Sequence, residues 1–226
     1  MAKDIESSTP VMKQFLEVKD KYEDSIVLFR MGDFYETFLD DAIITSKILG
    51  IVLTKRANGK AAHVDLAGFP HHALDNYLPK LVKAGHRVAI CEQVEDPKLA
   101  KGIVKREVVE VVTPGTLTGD QALNDRSNRF IGAICSSKQN SGFSFLDSST
   151  GEFYIGECST DTLNNLFLKF RPHEIIVSEK AKYSSSRWYM EFQPFMSRVA
   201  NWMFDYDTSH RILTKHFDVK NLKGFG

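Results

Sequence analysis

The stretch that most constrains this chain runs from Ile26 to Phe38: Ile-Val-Leu-Phe-Arg-Met-Gly-Asp-Phe-Tyr-Glu-Thr-Phe. The apolar run Ile26–Phe29 predicts a buried strand. Gly32-Asp33 breaks it, because glycine tolerates the backbone angles of a sharp turn. Phe34, Tyr35 and Glu36 follow at once, at the tip of that strand. A tip is where a scaffold offers side chains to something outside it. The same residues fit a second arrangement, with Phe34 and Phe38 as core residues on one face of a short helix.

Composition sets the outer limits. With 226 residues, the chain has room for two modest domains or one large one. Its 42% hydrophobic and 26% charged residues are those of an ordinary globular protein. No apolar run approaches the ~20 residues that span a bilayer, and Met1–Glu6 has no apolar signal segment. Cys91, Cys135 and Cys158 are far apart and odd in number, so neither a zinc site nor a disulfide framework is indicated; buried thiols and a cytoplasmic location are expected. The net charge of zero argues against a generic nucleic-acid binder. Its distribution is uneven, however: residues 1–41 hold five Lys/Arg against ten Asp/Glu, and residues 42–106 hold eleven against five. The segment after the tip can therefore supply phosphate contacts.

Thr9-Pro10 reads as a helix start, with an amphipathic helix over 10–23. A strand is expected at 26–31, a helix over Asp40–Leu49 stopped by Gly50, and a strand at Ile51–Leu53 running into Thr54-Lys55-Arg56. Asn58-Gly59 signals a turn or hairpin. Val64–Leu66 predicts a strand and Gly68–His72 a loop. A helix follows from Ala73 to Val82, closed by Gly85, with Pro79 marking a kink or a start. Arg87–Cys91 and Glu107–Val112 complete an α/β unit. Residues 113–128 are turn-rich and polar. Beyond them, strands are expected at 130–135, 142–146, 152–155 and 174–177, with helices at 160–170 and 207–216.

Met31-Gly32-Asp33-Phe34-Tyr35-Glu36, Leu53–Arg56, Leu66–Ala73, Ala89–Gln93, Val112–Thr116 and Leu222–Gly226 resemble, in order, the start of the MutS family of DNA mismatch-recognition proteins. The resemblance implies an α/β fold throughout. A mixed-sheet mismatch-recognition domain spans residues 1–113, a linker 114–128, and a ribonuclease-H-like connector domain 129–226. That second domain is expected to be truncated, lacking a closing helix and strand, in an N-terminal fragment of a longer protein. The family inserts the Phe of a Phe-x-Glu motif, here Phe34, from the minor groove onto the mispaired base, and its Glu, here Glu36, hydrogen-bonds that base. Tyr35 should point elsewhere and pack. Met31 is expected beside the wedge, and Thr54, Lys55, Arg56 and Arg106 at phosphates or in the groove. The expected partners are mismatched duplex DNA, MutL through the connector domain, and a second MutS copy in the full-length protein, with no membrane and a bacterial cytoplasmic, nucleoid-associated location. No phosphate loop of the G-x-x-x-x-G-K-[ST] type occurs, so this chain is expected to need no cofactor and to be no enzyme. The ATPase, with its ATP and magnesium, belongs to the family's C-terminal part.

Two other functions fit parts of the chain. A ribonuclease-H-like sheet can carry a metal-dependent nuclease, with Asp147 joined by Glu152, Glu174 or Asp205 around magnesium. Asp147 sits in a Ser/Thr/Gly-rich turn, which explains it without a metal. Residues 129–226 also fit a protein-docking module. His71-His72 lacks a third ligand at useful spacing, so no metal is expected there.

Overall fold

The apolar run forms strand β1 (Ser25–Met31), the centre about which the first sheet is built. Val27, Leu28 and Phe29 are fully buried and Ile26 nearly so. A strand covered on both faces has to be apolar on both, which is why the run does not alternate. The computed structural model describes residues 8–59, 61–95, 102–117, 128–136 and 140–225. They divide into two units, 1–125 and 126–226. No helix among the described residues is long and apolar enough to cross a membrane.

In the first unit, helix α1 (Pro10–Lys21) begins at Thr9, whose side chain accepts from the Met12 N–H. Strand β2 (Phe34–Phe38) leads into helix α2 (Leu39–Leu49), which Gly50 ends at φ +67°. Strands β3 (Thr54–Asn58) and β4 (Ala61–Pro70) form the hairpin that Asn58-Gly59 predicts. Helix α3 (Leu74–Lys83) keeps Pro79 inside it, and strands β5 (Arg87–Gln93) and β6 (Arg106–Val112) follow. The sheet order is β3-β4-β2-β1-β5-β6, with β1 and β5 parallel and the other pairs antiparallel. Alternation along the strands separates two cores. Phe15 of α1 packs against Phe29 and Phe38 on one face, with ring centroids 5.7 and 4.9 Å away. On the other, Leu78, Leu81 and Val82 of α3 pack on Ile26, Leu28, Tyr35 and Phe69.

Four expectations change. Residues 51–53 are not a strand, because pairing with β4 starts only at Thr54 opposite Leu66. Gly68, Phe69 and Pro70 are not a loop but the end of β4, paired with β2. Phe34–Phe38 forms a strand in place of a short helix, and Phe34 opens it directly after the turn. Leu117 is buried in the first core, so the chain stays with this unit past Val112.

The second unit contains strands β7 (Phe130–Ser136), β8 (Ser141–Asp147) and β9 (Phe153–Cys158) as an antiparallel meander. Helix α4 (Thr160–Phe170) crosses to strand β10 (Glu174–Ser178), parallel to β7. Helix α5 (Arg187–Phe192) crosses to strand β11 (Phe195–Val199), parallel to β10, and helix α6 (Tyr206–His216) follows. The order β11-β10-β7-β8-β9 is the mixed sheet expected of a ribonuclease-H-like unit. Phe145, Phe167 and Trp188 centre its core. Helix α5 and strand β11 are additions to the elements expected from the sequence. The polar Ser197 and Arg198 interrupt the apolar pattern of β11, so periodicity does not reveal that strand.

Candidate nucleic-acid interface

A two-residue turn joins β1 to β2, with Met31 facing Phe34 across it. Gly32 takes φ +57° and Asp33 is not in the positive-φ region, the pattern of a hairpin turn with glycine first. A strand pair closed this tightly gives Phe34 a fixed direction. Phe34 is 47% exposed while Phe38, four residues on and on the same face, is 1% exposed. Phe34 stands opposite Pro70 of β4, whose missing N–H is tolerated at a strand end.

Glu36 lies between these two phenylalanines on the same face. Its β4 neighbour is Gly68, where an added Cβ would stand 2.8 Å from the Tyr35 carbonyl oxygen and 3.4 Å from Glu36 Cγ. Glycine therefore permits the close approach and leaves no side chain over the carboxylate. Arg56 Nη1 donates to Glu36 Oε2 at 2.7 Å. Burial pushes the Glu36 carboxyl above the ordinary carboxylate range; Arg56, and Arg106 after it, pull it back.

The strand registers place Met31, Thr54, Arg56 and Arg106 on the face that carries Phe34 and Glu36. Lys55 projects to the other side of β3 and is exposed. Arg106 differs from the other basic residues. It is 7% exposed, donates to the Arg30 carbonyl, Gln14 Oε1 and the Val104 carbonyl, and lies 5.1 Å from the Phe29 ring centre. Its guanidinium braces the inside of the unit, in place of the exposed phosphate contact expected from the sequence. Cys91, beside it, is fully buried, and burial pushes its thiol up to about 12.

Tyr35 packs on the opposite face, as expected, and its hydroxyl donates to Glu92. Burial comes first among the causes that raise its pKa. The Arg30 guanidinium lies 5.6 Å from the Tyr35 ring centre and donates through Nε to the Gly32 carbonyl at 2.6 Å. Arg30, Glu92 and Gly68 thus anchor the turn from behind and beside it. No sequence motif marks Arg30 and Glu92, which lie 62 positions apart and meet only through sheet pairing.

The carboxylates of the nuclease reading are committed to structure. Asp147 is fully buried and accepts from the Ser149 N–H and Oγ and from the Arg129 and Thr150 N–H groups. Burial raises its pKa, but those hydrogen bonds outweigh it and hold the carboxyl below its ordinary range. Glu174 accepts from Ser197 and lies on the opposite face of the sheet, since their partners Ile131 and Phe130 alternate. Asp205 caps α6, and Glu152 accepts from Asn128. Among the described residues no three His, Cys, Asp or Glu could hold a metal.

Fold and site together define a two-unit α/β protein whose first sheet presents an exposed aromatic and a half-buried carboxylate on one face. Comparison with known proteins agrees with this. Residues 9–121 match the family model of MutS domain I and residues 129–226 that of MutS domain II. The DNA mismatch repair protein MutS of Porphyromonas gingivalis is 50% identical over 218 residues, covering 96% of this chain and 24% of the relative. That of Parabacteroides distasonis is 51% identical over 228 residues, covering 100% and 26%. That of Flavobacterium johnsoniae is 48% identical over 223 residues, covering 98% and 26%. This chain belongs to the MutS family, and it spans about a quarter of the length of these relatives.

Proposed function

We propose that this chain recognises mispaired or unpaired bases in duplex DNA during mismatch repair, as the reading end of a longer MutS protein. Phe34 enters the minor groove and stacks on the mispaired base, and Glu36 hydrogen-bonds that base. The observation that carries this reading is the exposed Phe34 on a tight hairpin, two residues from a carboxylate on the same sheet face.

Unstacking a duplex step costs on the order of a few kcal/mol, less where pairing is already defective. A stacked aromatic recovers about 1–3 kcal/mol per base without reading its identity. Bending the duplex adds about 1–6 kcal/mol, which a pairing defect lowers. A wedge therefore suits a protein that accepts many kinds of mispair. A carboxylate among phosphates is repelled, so Glu36 weakens binding to any duplex unless a base N–H donates to it, or it is protonated and donates itself. Met31 lies beside the wedge, Thr54 and Arg56 contact phosphate or groove on the face of Phe34, and Lys55, on the other side of edge strand β3, reaches a phosphate only around that edge; phosphate contacts position the protein without reading sequence. Arg106 serves the same surface from inside, through its charge near Glu36.

The remaining functions belong to the longer protein: ATP hydrolysis with magnesium, pairing with a second MutS copy, and a cytoplasmic, nucleoid-associated place of work. The second unit is the docking element for MutL, and this chain's own residues require no cofactor. The test joins this chain to the remaining three-quarters of the Porphyromonas gingivalis relative and measures binding to matched and single-mismatch duplexes at one salt concentration. Phe34→Ala is expected to lower the mismatch preference by about 5- to 150-fold, the equivalent of one lost stack. Glu36→Ala should raise matched-duplex affinity and alter the preference. A preference that survives Phe34→Ala returns Phe34 to a packing role.

A further inference from the structure

We propose that Arg56 is a specificity-determining latch on Glu36: their ion pair has to open before the carboxyl can meet a base, and only a defective base pair compensates the opening. The proposal rests on the reading of Glu36 given above. Arg56 comes from edge strand β3, and its side chain is 41% exposed, whereas that of Glu36 is 19% exposed. The pair therefore has one partner that can leave and one that stays. The guanidinium fork suits phosphate oxygens at least as well as a carboxylate, so a duplex laid on this face competes for Arg56.

Releasing Arg56 leaves a half-buried carboxylate beside a polyanion, which is costly unless the charge is paired or protonated. The minor groove of matched DNA offers a single kind of base donor, the guanine amino group. A mispaired base presents N–H groups that no partner base occupies. The latch thus opens cheaply at a defect and stays closed elsewhere. Few other charges face Glu36. Arg106 reaches it from β6, and Cys91 of β5 is neutral with its raised pKa. Strands β1 and β4 present Phe29, Met31, Leu66, Gly68 and Pro70 on this face, none of them charged.

The test is a double-mutant cycle in the same joined protein. Mismatch-to-match affinity ratios are measured between pH 6 and 9 for Arg56→Met, Arg56→Lys, Glu36→Gln, the Arg56→Met/Glu36→Gln pair, and Phe34→Ala. Arg56→Met is expected to change the ratio at least about threefold when Glu36 is present and to leave it unchanged in the Glu36→Gln background, the non-additivity of residues in contact. It should also move the pH dependence of the ratio upward, because Glu36 loses the cation that lowers its pKa. Arg56→Lys should keep most of the wild-type profile. If Arg56→Met weakens both duplexes equally in both backgrounds, with the pH profile unmoved, Arg56 is a phosphate contact only and the latch is overturned. A preference that survives Phe34→Ala overturns the wedge as well.

Discussion

Phe34 and Phe38 share one face of one strand, yet their surroundings give them opposite roles. Phe38 closes an edge-on cluster with Phe15 and Phe29, while Phe34 stands half in solvent beyond the end of that cluster. The stability ledger should therefore separate them. Phe38→Ala removes a buried ring and is expected to cost about 3–5 kcal/mol. Phe34→Ala should stay within about 1 kcal/mol of wild type, since exposed positions contribute little. Urea unfolding of the 226-residue chain checks both values, and a large loss at Phe34 would mean that the ring packs and does not reach outward. Spacing alone leaves the two positions equivalent, because i and i+4 coincide on a strand as well as on a helix. What separates them is how far α1 extends over the sheet, a tertiary fact.

At the scale of elements, the site is a product of strand pairing. At Gly68 β4 lies tight against β2, and an added Cβ there would meet the Tyr35 carbonyl at 2.8 Å, a backbone atom that cannot rotate away. Gly68→Ala should force the strands apart at an overpacking cost of about 1–3 kcal/mol. It should also tilt Glu36, so that mismatch preference drops together with the denaturation midpoint. An unchanged midpoint would show that β2 and β4 are looser than the register implies. Long elements of one period were legible in the sequence: β1, α1, α2, α3 and α4 follow their apolar patterns and caps. Elements defined by their partners were not. Ile51–Leu53 looks like a strand by composition but has no neighbour to pair with, and β11 pairs fully although Ser197 and Arg198 break its pattern. Of the candidate site, the turn at Gly32-Asp33 was legible in the sequence, and Phe34 and Glu36 were singled out only through the family resemblance. The burial of Arg106 was not, because it depends on Gln14, Arg30 and Val104 converging from α1, β1 and the approach to β6.

For the whole molecule, the two units are separate in their cores. The first has an aliphatic–aromatic cluster on each face of its sheet, and the second is built on Phe145, Phe167 and Trp188; the three clusters have no residue in common. The units span residues 1–125 and 126–226, each long enough to bury a core of its own. Both tryptophans of the chain, Trp188 and Trp202, lie in the second unit, and Trp188 is 1% exposed. Tryptophan fluorescence therefore reports unfolding of the second unit alone, whereas the far-ultraviolet signal reports both. Phe145→Ala, which removes a ring packed against Phe167 and Phe170, should lower the fluorescence midpoint by well over 10 °C, taking about 3 kcal/mol or more at about 4–8 °C each for a domain of this size. Phe15→Ala should leave that midpoint in place and shift only the part of the far-ultraviolet transition that fluorescence does not follow. If Phe15→Ala moves the fluorescence midpoint as far as Phe145→Ala does, the units unfold as one. Independent transitions would show that each unit unfolds on its own core.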